Sequence, residues 1–136
     1  MIPFEKNLVK STWKTMAPMA DEVARRFYDR LFEIDASARA LFKSSDLPEQ
    51  RRKLVQALSL VVQGIDDLST LAPVVADLGR RHAKYGVTES QYESVGAALL
   101  WTFEQSLGSN WTMEASRAWA SAYAVLAGVM KEAAAS

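Results

Sequence analysis

The segment Arg80-Arg81-His82-Ala83-Lys84-Tyr85-Gly86-Val87 is the part of this chain from which the rest can be interpreted. His82 is the only histidine among the 136 residues, and the apolar residues before it predict that it lies in the last turn of a helix. Gly86 follows as a left-handed helix terminator, because glycine adopts positive φ at no steric cost. Together with Pro73, which lies seven residues before it, the segment predicts a short helix. This helix has Pro73 in its first turn and ends just after His82.

The segments on both sides also predict helices. Upstream, Asp46-Leu47-Pro48-Glu49 is typical of a helix start, with an aspartate cap, a proline in the first turn and a glutamate placed for a capping box. Downstream, Thr88-Glu89-Ser90-Gln91 is a second capping box. Apolar residues then recur at helical spacing on one face: Leu54, Leu58, Val61, Val62 and Ile65 after the first start, and Val95, Leu99, Leu100, Phe103 and Leu107 after the second.

The remainder of the chain continues the helical pattern. Pro18 separates two amphipathic stretches, and Asp35 is expected to cap a turn that leads into Leu41-Phe42. After a break at residues 108–110, Thr112 can cap a last helix. Because no segment shows sustained alternation of period two, the sequence predicts an all-α fold.

Composition limits the classes of function. An apolar content of 49% with 24% charged residues indicates one globular domain over residues 1–136. Sixteen basic and sixteen acidic residues balance, so no net field favours nucleic acid, and the absence of cysteine excludes disulfides and thiolate metal sites. No apolar stretch approaches the roughly 18 residues of a membrane span, and no signal peptide is evident. A cytoplasmic protein without membrane or nucleic-acid partners is expected.

A single histidine excludes most metal and catalytic motifs, among them zinc sites with two imidazoles and Ser/His/Asp sets. A di-iron bundle needs Glu-x-x-His, whereas Gly79 stands three residues before His82. Two interpretations of His82 remain. In the first, which spacing alone favours, His82 is a cation that complements the negative end of the helix dipole. In the second, His82 is an axial haem ligand, and its other ring nitrogen reaches the Leu78 carbonyl one turn back.

The segment around His82 resembles the proximal-histidine segment of the globin family, in particular bacterial single-domain globins and the haem domain of flavohaemoglobins. Further segments resemble the family in order along the chain: the second helix with its distal tyrosine at residues 27–32, the loop with the haem-packing phenylalanine at residues 41–42, the start of the distal helix at residues 50–54, and the last two helices at residues 91–96 and 118–123. The resemblance therefore covers nearly the whole chain.

This resemblance implies a globin fold of about seven to eight helices around a haem pocket. It further implies a bacterial haemoglobin with haem b iron bound by His82, which reversibly binds or transports dioxygen and also binds nitric oxide and carbon monoxide. Tyr28, Gln50 and Leu54 would meet the gas on the distal side. The remaining residues implied to contact haem are Phe42, Lys53, Leu58, Arg81, Tyr85, Val87, Tyr92, Val95 and Leu99.

The same pocket would also serve an enzyme. In a nitric oxide dioxygenase, dioxygen and nitric oxide react to give nitrate, and a reductase recycles the iron. Flavohaemoglobins continue into flavin and nicotinamide domains, whereas this chain stops at Ser136, so a separate reductase would be needed. A haem-based sensor is a third class, for which no output domain is evident. Ligand binding is the primary interpretation, and the question of an enzyme stays open.

The family supports its proximal histidine with a tyrosine and a glutamate. Tyr92 falls at the tyrosine position, but colinear counting puts Ser136 at the glutamate position, with Glu132 about one turn earlier. The resemblance therefore does not imply a strongly anionic, peroxidase-like histidine, and it leaves open whether Glu132 supports His82.

Overall fold

The structure, a computed structural model, describes residues 1–43 and 45–135. Over these residues the chain forms seven α-helices and no strand. The predicted all-α class and the predicted number of about seven to eight helices are therefore confirmed. The seven α-helices are α1 (Pro3–Met16), α2 (Ala20–Ile34), α3 (Ala36–Leu41), α4 (Leu47–Gln63), α5 (Leu68–Lys84), α6 (Glu89–Leu107) and α7 (Met113–Ala135), with short 3-10 turns at Ala17–Met19 and Gly108–Asn110. None of the helices in this part of the chain is long and apolar enough to cross a membrane.

Side-chain caps start the helices where the sequence predicts them. Thr88 accepts from the Gln91 backbone N–H at 3.4 Å, and the Gln91 side chain accepts from the Thr88 N–H at 2.8 Å. The Asp46 carboxylate accepts from the Glu49 N–H at 3.3 Å. Glu49 does not close the predicted box with Asp46, because its two carboxylate oxygens accept from two guanidinium N–H groups of Arg52 in a bidentate pair. The other predicted caps are also present: Asp35 before α3 and Thr112 before α7.

The helix that carries His82 begins earlier than the sequence indicates. α5 starts at Leu68, so Pro73 lies inside it and the prediction of a short helix is wrong. The Asp67 carboxylate accepts from the hydroxyls of Ser69 and Thr70 at 2.6 and 2.7 Å, which orders the first turn. Pro73 then removes only one helical hydrogen bond, the one that would reach the Ser69 carbonyl. Because Ser69 is exposed, water can donate to this carbonyl instead.

The end of α5 is formed as predicted. Gly86 has a φ of 85°, and its N–H donates to the Ala83 carbonyl at 3.1 Å. The Val87 N–H reaches back to the His82 carbonyl, also at 3.1 Å. This pair of bonds is a Schellman motif, and it folds the chain back beside His82.

The helices on the two sides of the predicted pocket pack against different partners. α5 packs against α7, whereas α4 packs against α2 and α1, and α6 packs against α2 and α7. α4 and α5 are not among the closely packed helix pairs of the described residues. The two helices that would face each other across a flat cofactor are therefore supported independently.

One buried polar contact joins the first helix to the last. The Trp119 indole donates to the Thr12 hydroxyl at 2.8 Å, and this hydroxyl donates to the Leu8 carbonyl at 2.7 Å. Thr12→Val leaves the indole N–H buried without an acceptor, so we expect urea titration to give a free energy of unfolding lower by about 1–3 kcal/mol. Thr15→Val is the matched control, because Thr15 is exposed and bonds to Ser11 within its own helix. Equal losses in the two variants would contradict the assignment.

Candidate functional site

His82 is half-buried near the end of α5, and its own helix orients its ring. Nδ1 lies 2.6 Å from the Leu78 carbonyl oxygen, which confirms the contact predicted from the sequence. Because a carbonyl oxygen only accepts, the proton of the neutral ring is on Nδ1 and the lone pair is on Nε2. The imidazole is thus held in the form that binds a metal through Nε2.

Tyr92 of α6 lies beside the His82 ring. The two ring centroids are 6.4 Å apart, with an angle of 31° between the ring planes. The Tyr92 side chain is buried, and its hydroxyl has no hydrogen-bond partner among the described residues. Burial raises the pKa of this phenol, so the hydroxyl keeps its proton and is an unused donor next to His82.

Two side chains of α7, one near its middle and one near its end, hold Tyr92 in place. The Tyr123 hydroxyl donates to the Tyr92 carbonyl at 2.6 Å. The Lys131 ammonium lies 5.5 Å from the centre of the Tyr92 ring and 3.6 Å from the Glu89 carboxylate. Ser136, which colinear counting puts at the glutamate position of the family, lies outside the described residues.

Tyr28 of α2, which is predicted to lie on the distal side, packs within a cluster of aromatic rings. Its ring centroid lies 5.0 Å from Phe27, 5.9 Å from Phe32 and 5.4 Å from Phe42. Burial raises the pKa of Tyr28 to about 12. The hydroxyl therefore keeps its proton throughout the neutral pH range and can act as a donor.

The fold brings Tyr28 to Gln50, although through the main chain. The Tyr28 hydroxyl donates to the Gln50 backbone carbonyl at 3.4 Å, which is long for an O–H···O bond. The Gln50 side chain is half-buried, as is Leu54 one turn later on α4. Because residues four apart share a helix face, Gln50 and Leu54 present one polar and one apolar group on the same side.

A buried amide connects α3 to α6, and the sequence does not predict this contact. Gln91 was expected only as a partner in the Thr88 box, but its side-chain N–H also donates to the Ser37 hydroxyl on α3 at 3.0 Å. An amide can form both bonds because it has a carbonyl and two N–H donors. No local signal reports a contact between residues this far apart in sequence. The contact ties α3, which leads into Phe42, to the start of α6.

The other predicted pocket residues divide by exposure. The apolar side chains of Phe42, Leu54, Leu58 and Val95 pack on the core but stay partly exposed. Val87 is half-buried, and Leu99 is buried. Lys53, Arg81 and Tyr85 are exposed, with Tyr85 69% accessible. The Arg81 guanidinium pairs with Asp77 at 2.8 Å. The expected haem contacts of Lys53, Arg81 and Tyr85 stay predictions.

The predicted residues border two separate spaces. Val87 and Tyr92 line a cleft of about 530 Å³ beside α5 and the end of α7. Leu58 and Leu99 line an apolar cavity of about 30 Å³ between α4, α6 and α7. Each of these spaces is thus lined by two predicted residues, in addition to the contacts of His82 with Tyr92 and of Tyr28 with Phe42 and Gln50.

The single imidazole of His82 fits an iron whose other ligands come from a cofactor. No group of three or more His, Asp and Glu side chains converges within residues 1–43 and 45–135, so they offer one oriented imidazole rather than a side-chain cage. The ring of Tyr92, whose hydroxyl is unpaired, lies beside that imidazole, and half-buried apolar side chains stand on α4 and α6. A porphyrin needs these features: one axial nitrogen and apolar surface for its faces.

Comparison with known proteins agrees with this geometry. The Globin family model matches residues 25–130. The flavohemoprotein of Rhizobium meliloti is 31% identical over 92% of this chain and 32% of its own length. The neuroglobin of Danio rerio is 28% identical over 93% of this chain and 87% of its own. The chain therefore spans about a third of the length of the flavohemoproteins that it matches.

The fold is also similar to a solved structure, that of a hexacoordinated heme protein from an anhydrobiotic tardigrade. The TM-score is 0.89 at 17% identity, over 100% of this chain and 96% of the other. At this identity the likeness shows the fold. The family model, by contrast, matches most of the sequence, from α2 to near the end of α7. The chain therefore belongs to the globin family.

Proposed function

We propose that residues 1–136 form one haem-binding globin domain that takes up dioxygen, and other diatomic gases, opposite His82. The observation that carries the proposal is the His82 ring, whose Nδ1 is held by the Leu78 carbonyl at 2.6 Å so that Nε2 faces away with its lone pair. Membership of the globin family and the likeness to named haem proteins support it. The chain has no cysteine for thioether attachment, which is compatible with the proposed cofactor, non-covalent haem b.

Haem, when bound, supplies an iron with one open position for a gas molecule. His82 would hold the cofactor from the proximal side, and the Leu78 carbonyl would keep the imidazole from rotating. The half-buried side chains Phe42, Leu54, Leu58 and Val95 would pack against the faces and edge of the macrocycle and exclude water.

The distal side chains would retain the gas by hydrogen bonding. Tyr28 keeps its proton because burial raises its pKa to about 12. Its present bond to the Gln50 carbonyl is long, at 3.4 Å, so turning the hydroxyl toward a better acceptor costs little. The Gln50 side-chain amide would be a second donor, and Leu54 would limit access by water.

The same two donors, Tyr28 and Gln50, also fit the alternative function, nitric oxide dioxygenase with a separate reductase. The chain corresponds to about a third of these flavohemoproteins, and for this function a reductase outside residues 1–136 would recycle the iron. Sustained consumption of nitric oxide with a flavin reductase and a nicotinamide donor supports the enzyme. A stable dioxygen complex without turnover supports binding or transport.

The proposal is tested by absorption spectra of the purified protein, oxidised, reduced and with carbon monoxide. We expect one haem per chain and a five-coordinate, high-spin ferrous spectrum that changes on adding carbon monoxide. A bis-imidazole form is impossible within these 136 residues, because His82 is the only histidine. Tyr28, Gln50 and Lys53 are the evident distal candidates for any sixth bond. A low-spin ferrous spectrum without added ligand would contradict the open position, and a protein that retains no haem would contradict the whole proposal.

A further inference from the structure

We propose that Gly79 is a positioning residue, which lets α5 cross α7 backbone to backbone and thereby sets where His82 holds its imidazole. The inference rests on the proposed role of His82 as the iron ligand. Gly79 is buried and stands three residues before His82, close to one helical turn.

The crossing leaves no space for a side chain at this position. A Cβ at residue 79 would lie 2.5 Å from the Met130 Cα, 2.7 Å from the Met130 carbonyl carbon and closer still to its carbonyl oxygen. These are main-chain atoms of α7, which cannot rotate away as the end of a flexible side chain could. Any larger residue at position 79 must therefore displace α5 from α7.

The same stretch of α7 that meets Gly79 also contacts Tyr92. Lys131, the residue after Met130, lies over the Tyr92 ring, and Tyr123 of α7 bonds to the Tyr92 carbonyl at 2.6 Å. α7 is thus the common support of α5, through Gly79, and of Tyr92 on α6. Displacing α5 from α7 must change how the His82 ring lies against Tyr92, from which it is now 6.4 Å away.

Gly128 provides a matched control on the opposite helix. It lies on exposed surface of α7, two residues before Met130, and a Cβ there meets nothing within 4 Å. Alanine is the better helix former, so helix propensity alone predicts that both Gly79→Ala and Gly128→Ala are neutral or stabilising. Only the backbone crossing predicts that the two variants differ.

The experiment uses the full chain loaded with haem. Resonance Raman spectra of the ferrous protein report the iron–imidazole stretching band, and transfer to an excess of an apo-globin acceptor reports the rate of haem loss. In Gly79→Ala we expect a shifted band and haem loss about 10- to 100-fold faster, the range found when a group that orients a metal ligand is removed. Gly128→Ala should match the wild type in both. General loss of stability would not shift the band of molecules that stay folded.

A second variant separates the backbone from the side chain. Met130→Ala should not restore the band or the haem retention of Gly79→Ala, because the crowded atoms are main-chain atoms. Restoration by Met130→Ala, or a Gly79→Ala protein that behaves like the wild type, would overturn the inference. If the wild type itself lacks an iron–imidazole band, the proposed function fails instead. If Gly79→Ala does not fold, nuclear Overhauser contacts between the α-protons of Gly79 and Met130 in the wild type test the crossing: their presence supports it and their absence overturns it.

Discussion

His82→Ala is expected to abolish stable retention of haem, or to leave a weakly held haem without the spectrum of an imidazole-ligated iron. The chain has no second histidine that could replace the missing ligand, and the described residues contain no alternative cluster of metal-binding side chains. Losing a group that merely orients a metal ligand costs about 10- to 100-fold in metal affinity. Losing the ligand itself should cost more, so gel filtration of the reconstituted variant should strip most of its haem.

The fold should survive this change. His82 is half-buried and its ring bonds within its own helix, so the variant without haem should unfold in urea close to the wild type. Lys84→Ala is a matched control from the same segment, because Lys84 is exposed and is not among the predicted haem contacts, and it should keep both haem and spectrum. In His82→Gly, added imidazole should restore the spectrum if the only loss is the ligand. Unchanged haem content and spectra in His82→Ala would remove the proximal assignment.

The features that could be predicted from the sequence are local ones. The capping box of Thr88 and Gln91, the terminator at Gly86 and the bond from His82 to Leu78 each join residues three to five positions apart. Helical geometry alone brings such residues together, so spacing is sufficient to find them. Pro73 shows the limit of this reasoning, since the hydroxyls that follow Asp67 start α5 one turn earlier than a proline signal indicates.

The features that could not be predicted join distant parts of the chain. Gln91 reaches Ser37, and Gly79 meets Met130, only after α3, α5 and α7 have packed. The contact between Tyr28 and Gln50 could be predicted only in part. The family resemblance indicates that Tyr28 approaches the start of α4, but only the folded backbone shows that its acceptor there is the Gln50 carbonyl.

Tyr28→Phe is expected to speed dissociation of dioxygen about ten-fold or more. The proposed bond from the Tyr28 hydroxyl to dioxygen is a hydrogen bond to a partly charged acceptor, worth about 1.5–3 kcal/mol, which corresponds to roughly 10- to 100-fold in rate. Phenylalanine keeps the ring that packs on Phe32 and Phe42, so the change removes the hydroxyl and little else. Carbon monoxide is a poorer acceptor, so its dissociation should change much less.

Gln50→Leu completes the test, because it removes the second proposed donor while keeping a side chain of similar length on α4. Two donors that share one gas molecule cannot act independently, so the effects of Tyr28→Phe and Gln50→Leu should not add. Stopped-flow displacement on the wild type, the two single variants and the double variant measures that coupling. Phe32→Leu is a useful control, since it alters the packing against the Tyr28 ring without removing either donor group. If Tyr28→Phe shifts the dissociation of dioxygen and carbon monoxide equally, Tyr28 acts by size and access, and the hydrogen-bonding account of the distal side is wrong.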